Sequence, residues 1–228
     1  MMRENLTQSV EDYLKAVYEV TQKEGRASTT RLSEYLNVTP ASVTGMIKKL
    51  AQTSPPLLEY QKHQGVLLTD EGMKIALEVI RHHRLLELFL HKILNYPWDE
   101  VDDEADRLEH VISETFEDRI AEVLGHPEYD PHGDPIPNKD LSLPVASSIP
   151  LSALRPEQTA TISRVRDTDS DLLKYLSEIG ITPNSEISVE SYSEFDGNLH
   201  ILVTDTGKTE VLGPKITEQV FVELHKQD

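Results

Sequence analysis

Residues 102–114 read DDEADRLEHVISE, where Asp102, Asp103, Glu104, Asp106, Glu109 and Glu114 surround a single imidazole, His110. Such a set suits either a solvated helix face or a site for a divalent cation. On a helix from 101 to 124 each residue turns by about 100°. Val101, Ala105, Leu108, Ile112 and Phe116 then form one apolar stripe, and Asp102, Asp106, Glu109 and His110 gather on the flank beside it. A flank bordering a buried face is half-buried, and unpaired carboxylates there are costly. Arg107, the local cation, points away, so the sorting of charge favours a metal over salt bridges.

Two further stretches offer ligands of the same kind. RHHRLLE puts His83 and Glu87 at i and i+4 on one helix face, close enough to share an ion. Asp12 interrupts an otherwise core-facing stretch between Val10 and Tyr13. The chain has no cysteine, which excludes disulfides and thiolate ligands. Carboxylate, imidazole, carbonyl and water remain, a donor set for Mn²⁺, Fe²⁺, Mg²⁺ or Ca²⁺ rather than structural zinc.

The elements that must position these groups follow from periodicity. Residues 5–23 space Leu6, Val10, Tyr13, Leu14, Val17 and Tyr18 as an amphipathic helix. A short helix carries Leu32, Tyr35 and Leu36, and Thr39 followed by Pro40 starts a third cleanly. LLEYQ and GVLLT, separated by Lys62, His63 and Gln64, read as a hairpin. Residues 69–95 predict a long helix and 99–124 another, ended by Gly125. Residues 126–150 hold six of the thirteen prolines and are neither helix nor central strand. Beyond them, QTATISRV, SEISVESYS, LHILVTD, GKTEVLG and QVFVEL predict five short strands, interrupted by the helix SDLLKYLSEIG, and together a small β-barrel. No apolar run reaches the ~20 residues of a membrane span. The start MMRENLTQSVEDYLK does not read as a signal peptide, and a cytoplasmic protein is expected.

Three helices and a hairpin followed by a long helix are the order of a winged helix-turn-helix joined to a helical dimerisation segment. Its second helix would enter the major groove. The front of that helix offers Thr39, Ala41, Ser42, Thr44 and Gly45 to base edges, and Lys48 and Lys49 lie toward phosphates. Arg26, Ser28, Thr29 and Thr30 suit phosphates at the preceding turn, with Lys62 and His63 at the wing tip. The net charge of −18 does not oppose this reading. Residues 1–75 carry 9 Lys/Arg and 9 Asp/Glu, whereas residues 76–228 carry 13 and 31. The whole acidic excess lies outside the first third of the chain.

SVEDYLKAVYEV, VTPASVTGMIKKL, GVLLTDEG, RHHRLLELFL, DEADRLEHVISE and PHGDPIP, in this order, resemble the diphtheria toxin repressor family of metal-dependent transcription regulators over essentially the full length. The resemblance implies a mainly α fold with a small β domain. Its parts are a winged helix-turn-helix (1–72), a helical metal-binding and dimerisation domain (73–145) and an SH3-like, FeoA-type regulatory β-barrel (146–228). It implies a primary metal site of Asp12, Asp106, Glu109 and His110. A second site matches His83, Glu87 and Asp102, with Asp130 and His132 of DPHG, and Asp169 or Asp171 as candidates from the barrel. Iron-responsive relatives tend to carry methionine where Asp12 stands and cysteine where Asp106 stands. The all-oxygen and imidazole set here is similar to that of manganese-responsive members. Short manganese regulators have an acidic residue where this chain has Lys15, a departure from their binuclear cluster. The function implied is a homodimeric, Mn²⁺-activated repressor of metal-uptake genes that binds double-stranded operator DNA, not an enzyme. The alternatives are an Fe²⁺-responsive regulator and a metallohydrolase using the carboxylates to activate water.

Overall fold

The computed structural model describes residues 6–61, 63–166 and 169–225. The chain divides into two compact units. One holds residues up to 82 with 109–112 and 137–142; the other holds 83–108, 113–136 and the residues from 143 onward.

The first unit is built on α1 (Gln8–Glu24), α2 (Thr29–Tyr35) and α3 (Pro40–Ala51), followed by the hairpin β1 (Leu58–Gln61) and β2 (Gly65–Leu68). The predicted stripe of α1 is buried, Val10, Tyr13, Leu14, Val17 and Tyr18 all lying in one core with Leu32, Val43, Ile47, Leu50, Leu58 and Val66. Local chemistry sets the helix starts. The Ser28 hydroxyl accepts from the Arg31 N–H at 3.1 Å, and the Thr39 hydroxyl accepts from the Ser42 N–H at 3.3 Å ahead of Pro40. The hairpin pairs Leu58 with Leu68, and Ala27 bridges to Val66 on the far side of β2. The long helix α4 (Asp70–Leu94) starts in this unit, where Thr69 caps the Gly72 N–H at 3.1 Å. Gly72 is required there: a Cβ would land on the carbonyl oxygen of Leu57.

The expected helix 99–124 is two helices, α5 (Val101–Leu108) and α6 (Glu114–Leu124). The cause lies at residues 109 to 113. The Glu109 carbonyl lies 3.2 Å from the His82 ring, and Ser113 turns extended and caps a new helix through the Phe116 N–H. With the helix broken, the expected stripe breaks too. Val101 and Ala105 are buried, whereas Phe116 is 48% exposed.

The second unit also holds β3 (Thr159–Val165), α7 (Ser170–Glu178), β4 (Glu186–Tyr192), β5 (Leu199–Val203), β6 (Lys208–Leu212), the short α8 (Pro214–Thr217) and β7 (Val220–Leu224). All five expected strands are present in an antiparallel sheet of order β6-β5-β4-β3-β7. It is an open sheet rather than the closed barrel expected. Edge strand β6 turns only Leu212 into the core, and its exposed Lys208 and Thr209 give no inward alternation with which to close against β7. Ile162, Val189, Leu199, Ile201, Val203 and Val222 of the sheet pack with Trp98, Leu151, Leu173 and Leu176.

Candidate metal centres

In the first unit, α1 presents Glu11, Asp12 and Lys15, and the turn that ends α5 presents Glu109 and His110. The His110 ring sits between them. Its Nδ1 lies 2.6 Å from Glu11 Oε2, and its Nε2 lies 2.9 Å from Asp12 Oδ1 and 3.2 Å from Glu109 Oε1. Lys15 Nζ donates to the other oxygen of Glu109 at 2.8 Å. Burial lowers the His110 pKa, but hydrogen bonds to Asp12, Glu109 and Glu11 outweigh it and push it up to about 11. The metal-free chain therefore holds a proton where three carboxylates converge. Ligand atoms of Asp12, Glu109 and His110 lie within 4.8 Å of one another, close enough to close round one ion.

Glu11 was not among the residues expected at a site. It is buried, and its carboxylate fixes the ring so that Nδ1–H donates to it and Nε2 faces Asp12 and Glu109. The readable signal is a carboxylate at a core-facing position of α1, beside Val10 and one turn before Leu14. A Glu11→Gln variant keeps the shape and loses the anionic acceptor that raises ligand basicity. It is expected to weaken Mn²⁺ binding here about tenfold or more, measured by calorimetric titration. Unchanged affinity would show that the ring needs no such partner.

The raised His110 pKa also sets a pH dependence. Its contribution to stability in the metal-free chain is complete below the ordinary value of 6.5 and is lost as pH rises toward about 11. An ion binding at Nε2 must displace this proton. At pH 7.5, titration in buffers of different ionisation enthalpy is expected to show about one proton released per ion bound at this site. No release would contradict a protonated ring held by Glu11, Asp12 and Glu109 beside Lys15.

The second unit brings together the other expected residues. His83 and Glu87 stand one turn apart on α4, and Asp102 and Asp106 one turn apart on α5. His83 Nε2 lies 3.5 Å from Glu87 Oε1 and 3.3 Å from Asp102 Oδ1; its Nδ1 lies 3.2 Å from Asp106 Oδ1. Asp106, expected with Asp12, is thus placed beside His83. Both Asp102 and Asp106 are open to solvent, with side chains 51% and 56% exposed.

Glu87 is fully buried, and neither carboxylate oxygen has a hydrogen-bond partner among the described residues. Around it lie His132, Nδ1 at 3.6 Å, and Asp130, in a group whose ligand atoms fall within 4.8 Å. His132 Nε2 faces the Trp98 carbonyl oxygen at 2.8 Å, so the ring's N–H donates there and Nδ1 is left as the electron-pair donor toward Glu87. Asp130 uses Oδ1 to accept from the backbone N–H groups of His132 and Asp134, at 2.8 and 2.9 Å, and leaves Oδ2 buried. Burial, then the charges of Glu87 and Asp134, raise its pKa well above the usual carboxylate value. Arg84 Nε stands 3.6 Å from Asp130 Oδ2 and compensates this charge only in part. Two buried carboxylates whose Glu87 oxygens and Asp130 Oδ2 make no hydrogen bond among the described residues, beside an imidazole, fit a divalent cation, since incompletely compensated burial of such charge costs several kcal/mol. Asp169 instead caps α7, accepting from the Asp171 and Leu172 N–H groups at 3.1 and 3.2 Å, and Asp171 is exposed. Among the described residues neither joins a convergent ligand group.

On α3, Ala41, Ser42, Gly45, Lys48 and Lys49 are exposed on the side away from Val43, Ile47 and Leu50. Thr44 is half-buried and its hydroxyl donates back to the Pro40 carbonyl at 2.9 Å. Ser28 and Thr39 serve as helix caps, Thr29 opens α2, and Arg26 is half-buried. Lys62, expected at the wing tip, lies outside the described residues.

Comparison with known proteins finds three family models in order along the chain. Residues 5–66 match the family "Iron dependent repressor, N-terminal DNA binding domain". Residues 69–138 match "Iron dependent repressor, metal binding and dimerisation domain", and residues 149–224 match the FeoA domain. The iron-dependent repressor IdeR of Mycobacterium leprae is 30% identical over 212 residues, covering 87% of this chain and 90% of that protein. The regulator MntR of Bacillus subtilis is 34% identical over 124 residues, covering 54% and 85%. A solved structure titled "Manganese-dependent transcriptional repressor complex with manganese" superposes with a TM-score of 0.85 at 37% identity, covering 95% of this chain and 100% of that one. No described helix is long and apolar enough to cross a membrane. With three matching domains in order and the three clusters of carboxylate and imidazole groups described above, this chain belongs to the diphtheria toxin repressor family: it is a metal-dependent, DNA-binding transcriptional repressor and not an enzyme.

Proposed function

We propose that the chain is a Mn²⁺-activated homodimer that represses metal-uptake genes by binding double-stranded operator DNA. The observation that supports the metal is the donor set. Asp12, Glu109 and His110 offer hard oxygens and one imidazole, the chain has no thiolate, and Glu87, Asp130 and His132 repeat the pattern. Lys15 occupies one oxygen of Glu109, so the site on α1 holds a single ion. Several similar structures carry manganese in their titles, which supports the same choice.

A divalent cation, when bound, supplies the positive charge that lets these carboxylates sit together. Asp12 on α1 is then tied to Glu109 and His110, the segment that joins α5 to α6. This tie fixes how the winged domain (1–72) is carried by the dimerisation domain (73–145), and so the spacing of two α3 helices on successive major grooves. Ala41, Ser42, Thr44 and Gly45 face the bases, with Thr39 at the helix start. Lys48, Lys49, Arg26, Ser28, Thr29 and Lys62 face phosphates. Phe116 and Val123 are exposed seven residues apart on one face of α6 and supply the contact with the second copy.

Footprinting on the promoters of metal-transporter genes, with Mn²⁺ and Fe²⁺ compared anaerobically, tests the proposal. Protection at lower Mn²⁺ than Fe²⁺ concentration is expected. Protection with Fe²⁺ and none with Mn²⁺ would establish the iron-responsive alternative, toward which the similarity to IdeR points.

A further inference from the structure

Residues 130–134, which carry Asp130 and His132, are held by the C-terminal sheet as well as by α4. Strand β3 pairs with β4 only from Thr159 to Thr161, so by Val165 its edge on that side is open. The loop takes this place: the Val165 N–H donates to the His132 carbonyl at 2.8 Å. Next to it, Gly133 lies so close to the strand that a Cβ would meet the Ser163 carbonyl oxygen. The side chains add an ionic contact. Arg164 Nη1 donates to Asp134 Oδ1 at 3.1 Å, and Arg84 of α4 lies 3.8 Å from the same oxygen. The Arg164 guanidinium stacks 4.1 Å above the Phe221 ring of β7, its cross-strand neighbour, and is thereby held in one orientation. Asp134 in turn braces Asp130 through the backbone, donating to Oδ1 at 2.9 Å and accepting from the Asp130 N–H at 3.0 Å.

We propose that Arg164 is a positioning residue of the cation site formed by Glu87, Asp130 and His132, acting through Asp134, so that the C-terminal sheet sets the affinity of a site to which Arg164 gives no ligand. Two physical effects support this. Arg164 neutralises Asp134, a carboxylate four residues from Asp130 that would otherwise repel it and compete for the ion. It also holds the loop in the turn that aims Asp130 Oδ2 and His132 Nδ1 at Glu87. The proposal rests on the reading of those three residues as a cation site.

The test is calorimetric titration of the full-length chain with Mn²⁺ alone, comparing wild type with Arg164→Gln, Asp134→Asn and the double variant. Wild type is expected to show two classes of site, one removed by Asp12→Asn. Each single variant is expected to weaken the other class about tenfold and leave the Asp12 class unchanged. The double variant should lose no more than either single one, because both act on one contact. Asp134→Asn is isosteric, so it reads the contact even if Arg164→Gln folds poorly. A site-selective loss supports positioning, whereas a general loss of packing would weaken both classes. Wild-type affinity in both single variants, or additive losses in the double, would overturn the role of Arg164 alone. A wild-type isotherm with one class of site, abolished by Asp12→Asn, would overturn the cation-site reading beneath it.

Discussion

Asp12→Asn is expected to abolish Mn²⁺-dependent operator binding at metal concentrations that saturate the wild type, while the chain stays folded. Asp12 is the most exposed of the groups around His110, its side chain 38% accessible, so an isosteric amide costs the fold little. What it removes is an anionic oxygen 2.9 Å from the ligand nitrogen of His110. Loss of one charged ligand from three is expected to weaken the ion by about 100-fold or more, above the range found for groups that merely support ligands. That corresponds to about 2.7 kcal/mol of binding free energy. His110→Ala offers the contrast. It strips the imidazolium from buried Glu11 and Glu109, and breaking such a buried pair costs about 3–5 kcal/mol before any metal is added. Mn²⁺ titration together with metal-free thermal unfolding distinguishes the variants: Asp12→Asn changes chiefly the first, with the smaller loss of stability that follows from its hydrogen bond to His110, and His110→Ala changes both strongly. An Asp12→Asn protein that still binds operator with wild-type dependence on Mn²⁺ would remove α1 from the switch.

Gly133→Ala is expected to have the largest effect on stability in the second unit. Gly133 has φ +87°, where an L side chain is disfavoured by about 1–2 kcal/mol. The added methyl would also meet the Ser163 carbonyl and come within 2.8 Å of the Arg164 Cα, both backbone atoms that cannot rotate away. Overpacking of this kind adds about 1–3 kcal/mol. The combined loss is about 3 kcal/mol, a fall of about 10 °C in the thermal midpoint. Because His132 precedes Gly133, the variant is also expected to lose Mn²⁺ binding at Glu87, Asp130 and His132. Differential scanning calorimetry checks the first effect and titration the second; an unshifted midpoint would mean that the loop leaves β3 at no cost.

The elements were legible in the sequence where local rules and packing agree. The stripe of α1, the Thr39–Pro40 start of α3, the hairpin and the alternation of β5 all follow from residue type and spacing. The break between α5 and α6 was legible only in part. Ser113 followed by acidic Glu114 and Glu117 is a helix start, but the 3.6-residue stripe runs straight across it. The same break decides which of the candidate ligand groups converge. On one continuous helix Asp102, Asp106, Glu109 and His110 share a flank, yet the turn at 109 sends Glu109 and His110 toward Asp12 and leaves Asp102 and Asp106 with His83. Closure of the β-barrel does not follow from strand count, because β6 carries Lys208 and Thr209 exposed and turns only Leu212 inward, so the sheet stays open at that edge. The partners of Glu11, Lys15 and Arg164 lay beyond sequence reasoning, since they stand 99, 94 and 30 residues away; the sequence showed only a carboxylate on the core side of α1 and a lysine in place of an acidic residue.

The most direct test of the central claim is an anomalous difference map at the manganese edge from crystals of the full-length protein grown with Mn²⁺. Density is predicted between Asp12, Glu109 and His110, with Glu11 still on His110 Nδ1, and a second peak between Glu87, Asp130 and His132. A map without density at either place, with His110 still bridging Glu11 and Asp12 in saturating Mn²⁺, would contradict the account.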